Sequence, residues 1–188
     1  MSTRILALVG SLRAGSYNHQ LAEAAVKHAP DGIDVEIFEG LAEVPFYNED
    51  LDRPGDVPSA AQTLRDTVQR ADALLLVSPE YNGTIPATLK NAIDWISRPY
   101  QAGAIVGKPL AVIGASGGHY GGVWAHDETR KSARIAGAHV LDDIKLAVPQ
   151  AAKRFGTNHP ADDDEIATAM PEILMTLAGA QATAAPAL

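Results

Sequence analysis

The sequence predicts an α/β fold, a doubly wound parallel sheet of five strands with helices on both faces. Three observations point there. Short apolar runs alternate with segments of helical spacing along most of the chain, the pattern of linked βαβ units. The run Ala73-Leu74-Leu75-Leu76-Val77-Ser78 is apolar without alternation, as in a strand covered on both faces. Three of the runs end in loops rich in glycine, serine and proline, where such a sheet gathers its ligand-binding turns.

In chain order, Ile5-Leu6-Ala7-Leu8-Val9 reads as a buried first strand, and Leu21-Ala22-Glu23-Ala24-Ala25-Val26 as the helix after it. Pro30-Asp31-Gly32 is a turn signal. Ile33-Asp34-Val35-Glu36-Ile37-Phe38 alternates as a second strand. Residues 39–58 are irregular, with several prolines and acids, a length of loop that is often functional or mobile. Residues 59–70 carry helical spacing, and residues 73–78 form the third strand. Pro86 suits the first turn of a helix over 87–96. Pro109-Leu110-Ala111-Val112-Ile113-Gly114 is a fourth strand, followed by a helix over about 123–136. His139-Val140-Leu141 and Ile144-Lys145-Leu146-Ala147-Val148 offer a fifth, interrupted at Asp142-Asp143; a last helix is predicted over about 163–177. With right-handed crossovers, five such strands suit the flavodoxin-like order 2-1-3-4-5. Residues 1–180 read as a single domain and residues 181–188 as a frayed tail.

Composition narrows the function. A length of 188 residues suits one domain, and 46% apolar with 20% charged residues is ordinary globular composition. A net charge of -8 without a basic stripe argues against a nucleic-acid partner. The absence of cysteine excludes disulfides, thiolate metal sites and cysteine nucleophiles. No apolar run approaches the ~20 residues that span a bilayer. Met1-Ser2-Thr3-Arg4 leads straight into the first strand, so no signal peptide and a cytoplasmic location are expected.

The chemistry concentrates in the loops. Val9-Gly10-Ser11-Leu12-Arg13-Ala14-Gly15-Ser16-Tyr17-Asn18 links a strand to a helix N-terminus, whose free N–H groups and dipole favour an anion. Ser11, Ser16 and Asn18 add short hydrogen-bonding side chains and Arg13 a permanent cation, the parts of a phosphate cradle for a single monoester. An ordinary helix N-cap uses the same residue types. No Gly-Lys-Ser/Thr closes the loop and no Gly-x-Gly-x-x-Gly occurs in it. Pro79-Glu80-Tyr81-Asn82-Gly83-Thr84-Ile85-Pro86 is full of breakers, though Tyr81-Asn82-Gly83 also suits a plain turn. Residues 115–122 form a second glycine-rich loop. His119, His126 and Asp127 lack a metal-ligand spacing, so no metal is expected. Asp162-Asp163-Asp164-Glu165 suits a helix start. In the predicted topology the loops after strands 1, 3 and 4 share one edge of the sheet.

Gly10-Ser11-Leu12-Arg13-x-x-Ser16-x-Asn18-x-x-Leu21 resembles the phosphate loop of the NAD(P)H-dependent FMN reductase family. The stretch from Pro79-Glu80-Tyr81-Asn82-Gly83-Thr84-Ile85-Pro86-Ala87 through Leu89-Lys90-Asn91-Ala92-Ile93-Asp94-Trp95 is similar to the family's second signature. Gly114-Ala115-Ser116 with Gly121-Gly122 resembles its third, and Gly137-Ala138-His139-Val140-Leu141 also fits. The resemblance reaches to about Val148. It departs at Val123-Trp124, where many relatives carry an arginine.

The resemblance implies a flavodoxin-like homodimer or homotetramer that passes hydride from NADPH or NADH through bound FMN to a quinone, flavin, azo or metal-oxyanion acceptor in ping-pong order. It implies that Ser11, Arg13, Ser16 and Asn18 hold the FMN phosphate, with Tyr17 among the cofactor-binding residues. Pro79, Glu80, Tyr81, Asn82 and Gly83 would line the isoalloxazine, and Ser116 and Gly118 would approach it from the far side. No protein acid or base is expected, because the flavin itself carries the hydride. Glu80 is expected to bond backbone N–H groups or reach another subunit. The alternative is a non-enzymatic FMN-binding electron carrier of flavodoxin type.

Overall fold

A computed structural model describes residues 2–180. The predicted tail, residues 181–188, lies outside the described residues. The element order is β1 (Thr3–Val9), α1 (Tyr17–Lys27), β2 (Ile33–Ile37), α2 (Ser59–Arg70), β3 (Ala73–Val77), α3 (Ala87–Ile96), β4 (Pro109–Ala115), α4 (Val123–Ile135), β5 (His139–Val148), α5 (Ala151–Phe155) and α6 (Asp164–Gly179). The strands form one parallel sheet in the order β2-β1-β3-β4-β5. Short 3₁₀ turns at Glu39–Glu43, Glu49–Leu51 and Pro160–Asp162 complete the chain.

Successive residues of a strand point to opposite faces, so each central strand feeds two cores. Ile5, Ala7, Val9, Leu75, Val77 and Ile113 pack with Leu21 of α1 and with Ile166, Met170 and Leu174 of α6. Leu6, Leu8, Leu74, Leu76, Leu110 and Val112 pack on the other face with Leu64, Val68, Leu89 and Ile93 of α2 and α3. Every residue of β3 is buried, which is why its sequence does not alternate.

β5 is one strand, but its register breaks where the sequence suggested. Leu110 faces Val140 and Val112 faces Lys145, so residues 141–144 bulge opposite Ala111 alone. Arg130 of α4 fills the break. Its guanidinium donates to the carbonyls of Val112 at 2.9 Å and Ile144 at 3.3 Å.

The irregular stretch 39–58 is fastened down. The Asn91 amide donates to the carbonyls of Val44 and Pro45 and accepts from the N–H of Tyr47, and Trp95 Nε1 donates to Pro45 at 2.7 Å. Arg65 grips Asp52 with two bonds of 2.7 and 2.8 Å and donates a third to the Trp95 carbonyl. The Arg65 guanidinium holds the Asp52 carboxyl below its ordinary pKa. None of these links is local in sequence. Two elements therefore had no clear sequence signal: the 3₁₀ turns of this stretch and the short helix α5.

Candidate functional site

The loops after β1, β3 and β4 meet at the carboxyl edge of the sheet, and specific contacts bring them together. A Cβ added at Gly10 would come within 2.6 Å of Pro86 Cγ and 3.1 Å of Pro79 Cδ. Only glycine lets the first loop lie flat against the second. Asn18 joins the first loop to the third: its amide Nδ2 donates to the Ala115 carbonyl at 2.8 Å, and its Oδ1 accepts from the Ala115 N–H at 2.9 Å. The Asn18 side chain thus acts as a brace that sets the spacing of the loops. Glu80 joins the second to the third. Its carboxylate accepts from the N–H of Ala125 at 3.2 Å, in the first turn of α4, where the N-cap is Gly122 and has no side chain to offer. The expectation that Glu80 bonds backbone N–H groups matches this contact.

Within the first loop, Ser16 is the N-cap of α1, accepting from the Asn18 N–H at 3.2 Å, and is itself buried. Ser11 is buried as well. Arg13 stands exposed; its guanidinium donates to the neighbouring Ala14 carbonyl at 3.0 Å, and no carboxylate pairs with it among the described residues. Tyr17 lines a cavity with Arg13 and Gly15; its hydroxyl donates to the Gly156 carbonyl at 3.1 Å and its ring packs on Phe155. It fastens the start of α1 to α5.

The second loop turns tightly. Asn82 and Gly83 both have positive φ, 53° and 74°, and Tyr81 and Thr84 exchange backbone bonds across them. This is a two-residue hairpin turn of the kind that Asn-Gly favours. It leaves Tyr81 half exposed at the tip. In the third loop the Ser116 hydroxyl accepts from the Gly118 N–H, and Gly118 in turn accepts from Gln150. Tyr120 and Trp124 lie 5.5 Å apart, and Trp124 Cε3 is 4.0 Å from where a Gly83 Cβ would stand. Trp124, paired with Tyr120, thus lies beside the Asn82-Gly83 turn.

Two residues behind the loops had no functional reading from sequence. His126 is 1% exposed, and its Nε2 lies 3.1 Å from the Ser78 carbonyl, just before Pro79. Burial pushes its pKa down to about 4, so near neutrality the ring is uncharged and Nε2–H donates to Ser78. Gly114 has no room for a side chain, because a Cβ there would lie 2.1 Å from the Ser78 carbonyl oxygen and 2.6 Å from that Nε2. Arg130, one helical turn later, is the second. The available signal was the spacing: Ala125, His126, Thr129, Arg130 and Ala133 form one buried stripe of α4. Among the described residues, no group of three or more histidine or acidic side chains is placed to hold a metal ion.

The arrangement suits a flat ligand with a phosphate at one end. A cation without a carboxylate partner, two hydroxyls and a helix N-terminus fit a monoester. The hairpin turn and the loop at Ser116 offer backbone groups and aromatic walls to a ring.

Comparison with known proteins agrees. Residues 3–153 match the family model described as NADPH-dependent FMN reductase. The chain is 36% identical over 162 residues to an NAD(P)H-dependent FMN reductase of Pseudomonas aeruginosa, covering 86% of each chain. It is 41% identical over 158 residues to a 2-hydroxy-1,4-benzoquinone reductase of a Burkholderia species, covering 84% of this chain and 85% of that one. Among solved structures, the flavoenzyme NAD(P)H:(acceptor) oxidoreductase FerB of Paracoccus denitrificans superposes with a TM-score of 0.83 at 29% identity, over 95% of this chain and 97% of the other. From motif, geometry and likeness together, the chain belongs to the NADPH-dependent FMN reductase family, a family of oxidoreductases, and has its flavodoxin-like fold.

Proposed function

We propose that this protein oxidises NADPH or NADH through bound FMN and reduces a small acceptor, with quinones as the first class and flavins, azo compounds and metal oxyanions as further ones. The observation that carries the reading is the convergence of three separate loops, through Gly10, Asn18 and Glu80, the first of them carrying Arg13, which no carboxylate pairs with among the described residues. FMN, if held there, would supply the redox chemistry between a reduced nicotinamide and the acceptor, a ping-pong exchange in this reading. The residues of the chain bind and orient. Arg13, Ser11 and Ser16 would hold the phosphate, with the first turn of α1 behind them. Pro79, Glu80, Tyr81, Asn82 and Gly83 would border the ring on one side, and Ser116 and Gly118 on the other. Asn18 and Glu80 set the spacing of these loops, and Tyr17 anchors the helix whose N-terminus faces the phosphate. No side chain is assigned a proton transfer.

A cytoplasmic homodimer or homotetramer belongs to the same reading; no helix among the described residues is long and apolar enough to cross a membrane. The test is a visible spectrum of the purified protein, an FMN titration followed by quenching of flavin fluorescence, and nicotinamide oxidation with a quinone. Yellow protein, saturable quenching and steady turnover are expected. Colourless protein that FMN does not reconstitute overturns the proposal. Bound FMN that stays oxidised under excess NADH and NADPH replaces it with an electron carrier.

A further inference from the structure

Three aromatic side chains stand at the border of the ring site without belonging to the core. Tyr81, Tyr120 and Trp124 are 50%, 66% and 55% exposed. Trp124 rests against the Asn82-Gly83 turn, and its ring is tilted by 48° to that of Tyr120. Among the described residues, neither the Trp124 indole N–H nor the Tyr120 hydroxyl makes a hydrogen bond. Exposed rings gathered in one place mark a contact surface rather than a core.

The third loop beside them is bare. Gly117 and Gly118 lack a positive φ. A Cβ at Gly117 would meet nothing within 4 Å, and one at Gly118 only the Ser116 hydroxyl at 3.6 Å. The shape of the loop does not require glycine there. Backbone bonds of 3.0 Å hold it instead: Ser116 N–H to Val148, Gln150 N–H to Gly118, and Ala151 N–H to Ser116. The two glycines leave open ground for a flat molecule.

Charge narrows the occupant. Residues 79–86 and 115–124 contain no lysine or arginine. Their one carboxylate, Glu80, accepts from the Ala125 N–H. Arg130, further along α4, is spent on strand carbonyls, and Arg13 is assigned to the flavin phosphate. An oxyanion arriving beside Trp124 would meet a carboxylate and no permanent cation. An uncharged planar acceptor would find rings to stack on and two free donors for its carbonyl oxygens.

We infer that Trp124, paired with Tyr120, selects the acceptor: it holds flat, uncharged aromatic carbonyl compounds such as naphthoquinones and gives metal oxyanions no grip. The inference rests on the oxidoreductase reading above and adds the residue that ranks its acceptors. Trp124 sets specificity; it moves no electron or proton.

The test isolates reoxidation. FMN-loaded protein is reduced with stoichiometric dithionite, so that no nicotinamide enters, and mixed anaerobically with menadione, a naphthoquinone, or with chromate. Trp124→Ala raises the apparent Kd for menadione roughly threefold to tenfold, the scale of one aromatic stack, and leaves the limiting rate and chromate reoxidation within about twofold. Trp124→Phe keeps a ring and stays within about twofold of the wild type. Trp124→Lys weakens menadione and speeds chromate. Tyr100→Ala removes an exposed ring between α3 and β4 and changes neither acceptor. A readout without electron transfer comes from the two tryptophans, of which Trp95 is fully buried. Titrating the oxidised protein with menadione gives saturable quenching that Trp124→Phe lacks. Equal losses with both acceptors, an unchanged Kd for menadione in Trp124→Ala, or quenching that never saturates overturns the inference. So does a changed sedimentation mass in Trp124→Ala, which would mean that a second copy covers the pair. If the protein takes up no FMN, the oxidoreductase reading fails instead, and the quenching titration of the flavin-free chain still decides the aromatic pair.

Discussion

Arg13 and Arg130 carry the same guanidinium and are used in opposite ways. Arg13 stands in solvent on a loop, donates to its neighbour's carbonyl and has no carboxylate partner among the described residues. Arg130 is 5% exposed on the inner face of α4, with two of its bonds going to strand carbonyls and one to the exposed Asp127. Its Nε is buried without a partner. His126, one turn earlier, does the same work for the carbonyl of Ser78. The underside of α4 spends its polar groups on holding strand ends in place. The β1–α1 loop spends its cation on no such work, and in the reading proposed above it is free for a phosphate. Fold stability and ligand affinity should therefore separate cleanly between the two regions.

The largest effect expected is on stability. Arg130→Met removes the donor that bridges the broken register of β4 and β5, and leaves two carbonyls in the interior without it. Losing such bonds costs about 3 kcal/mol, reduced somewhat because the orphaned Nε–H goes too. Urea unfolding should show that loss with an unchanged slope, while FMN affinity of the folded fraction stays within about twofold. A variant as stable as the wild type would show that the bulge stands without Arg130 and would erase the contrast.

The second prediction uses pH. His126 titrates near 6.5 when unfolded and near 4 when folded. Between these values the unfolded chain binds the extra proton, so stability rises with pH across the window. The contribution is complete above about pH 6.5 and is lost as pH falls through 4. Over the whole window it amounts to about 3 kcal/mol, a fall in Tm of roughly 6–12 °C. The paired carboxylates Asp52 and Asp163 are held below their ordinary pKa, so their losses come mainly at more acidic pH and meet only the acid end of this window. His126→Gln should flatten the dependence between pH 6.5 and 4 and leave the acid limb unchanged. A slope that survives in that variant would mean another group carries it.

The same contrast explains how much was legible in the sequence. β3, α3 and the loops with Asn82-Gly83 and Ser116 were readable because their signals are local: an unbroken apolar run, a proline at a helix start, turn residues at fixed offsets. The strand order followed from the alternation of elements. The placement of Asn18 was not readable, because a capping-type residue beside a helix start looks alike whether it faces a ligand or braces Ala115 across the sheet. The roles of His126 and Arg130 depend on carbonyls of β3, β4 and β5, far away in sequence. The anchoring of residues 39–58 depends on Asn91, Trp95 and Arg65. A residue that serves ligands can advertise itself by its neighbours in the chain; one that serves backbone carbonyls elsewhere does so only after folding.

The smallest effect on folding and the sharpest on binding is expected from Arg13. Its side chain touches little of the protein, so Arg13→Ala should change unfolding stability by no more than about 0.5 kcal/mol. A charge-assisted bond to a phosphate is worth about 1.5–3 kcal/mol, so the affinity for FMN should fall by roughly tenfold to a hundredfold. Riboflavin, which lacks the phosphate, should bind wild type and variant alike, and that pair of titrations separates a lost phosphate contact from a disturbed loop. Adding Ser16→Ala removes the N-cap of α1 as well, and that second change should lower stability by about 1 kcal/mol where the first did not. If Arg13→Ala keeps full FMN affinity, the first loop is only a helix cap, and the two arginines differ in burial without differing in purpose.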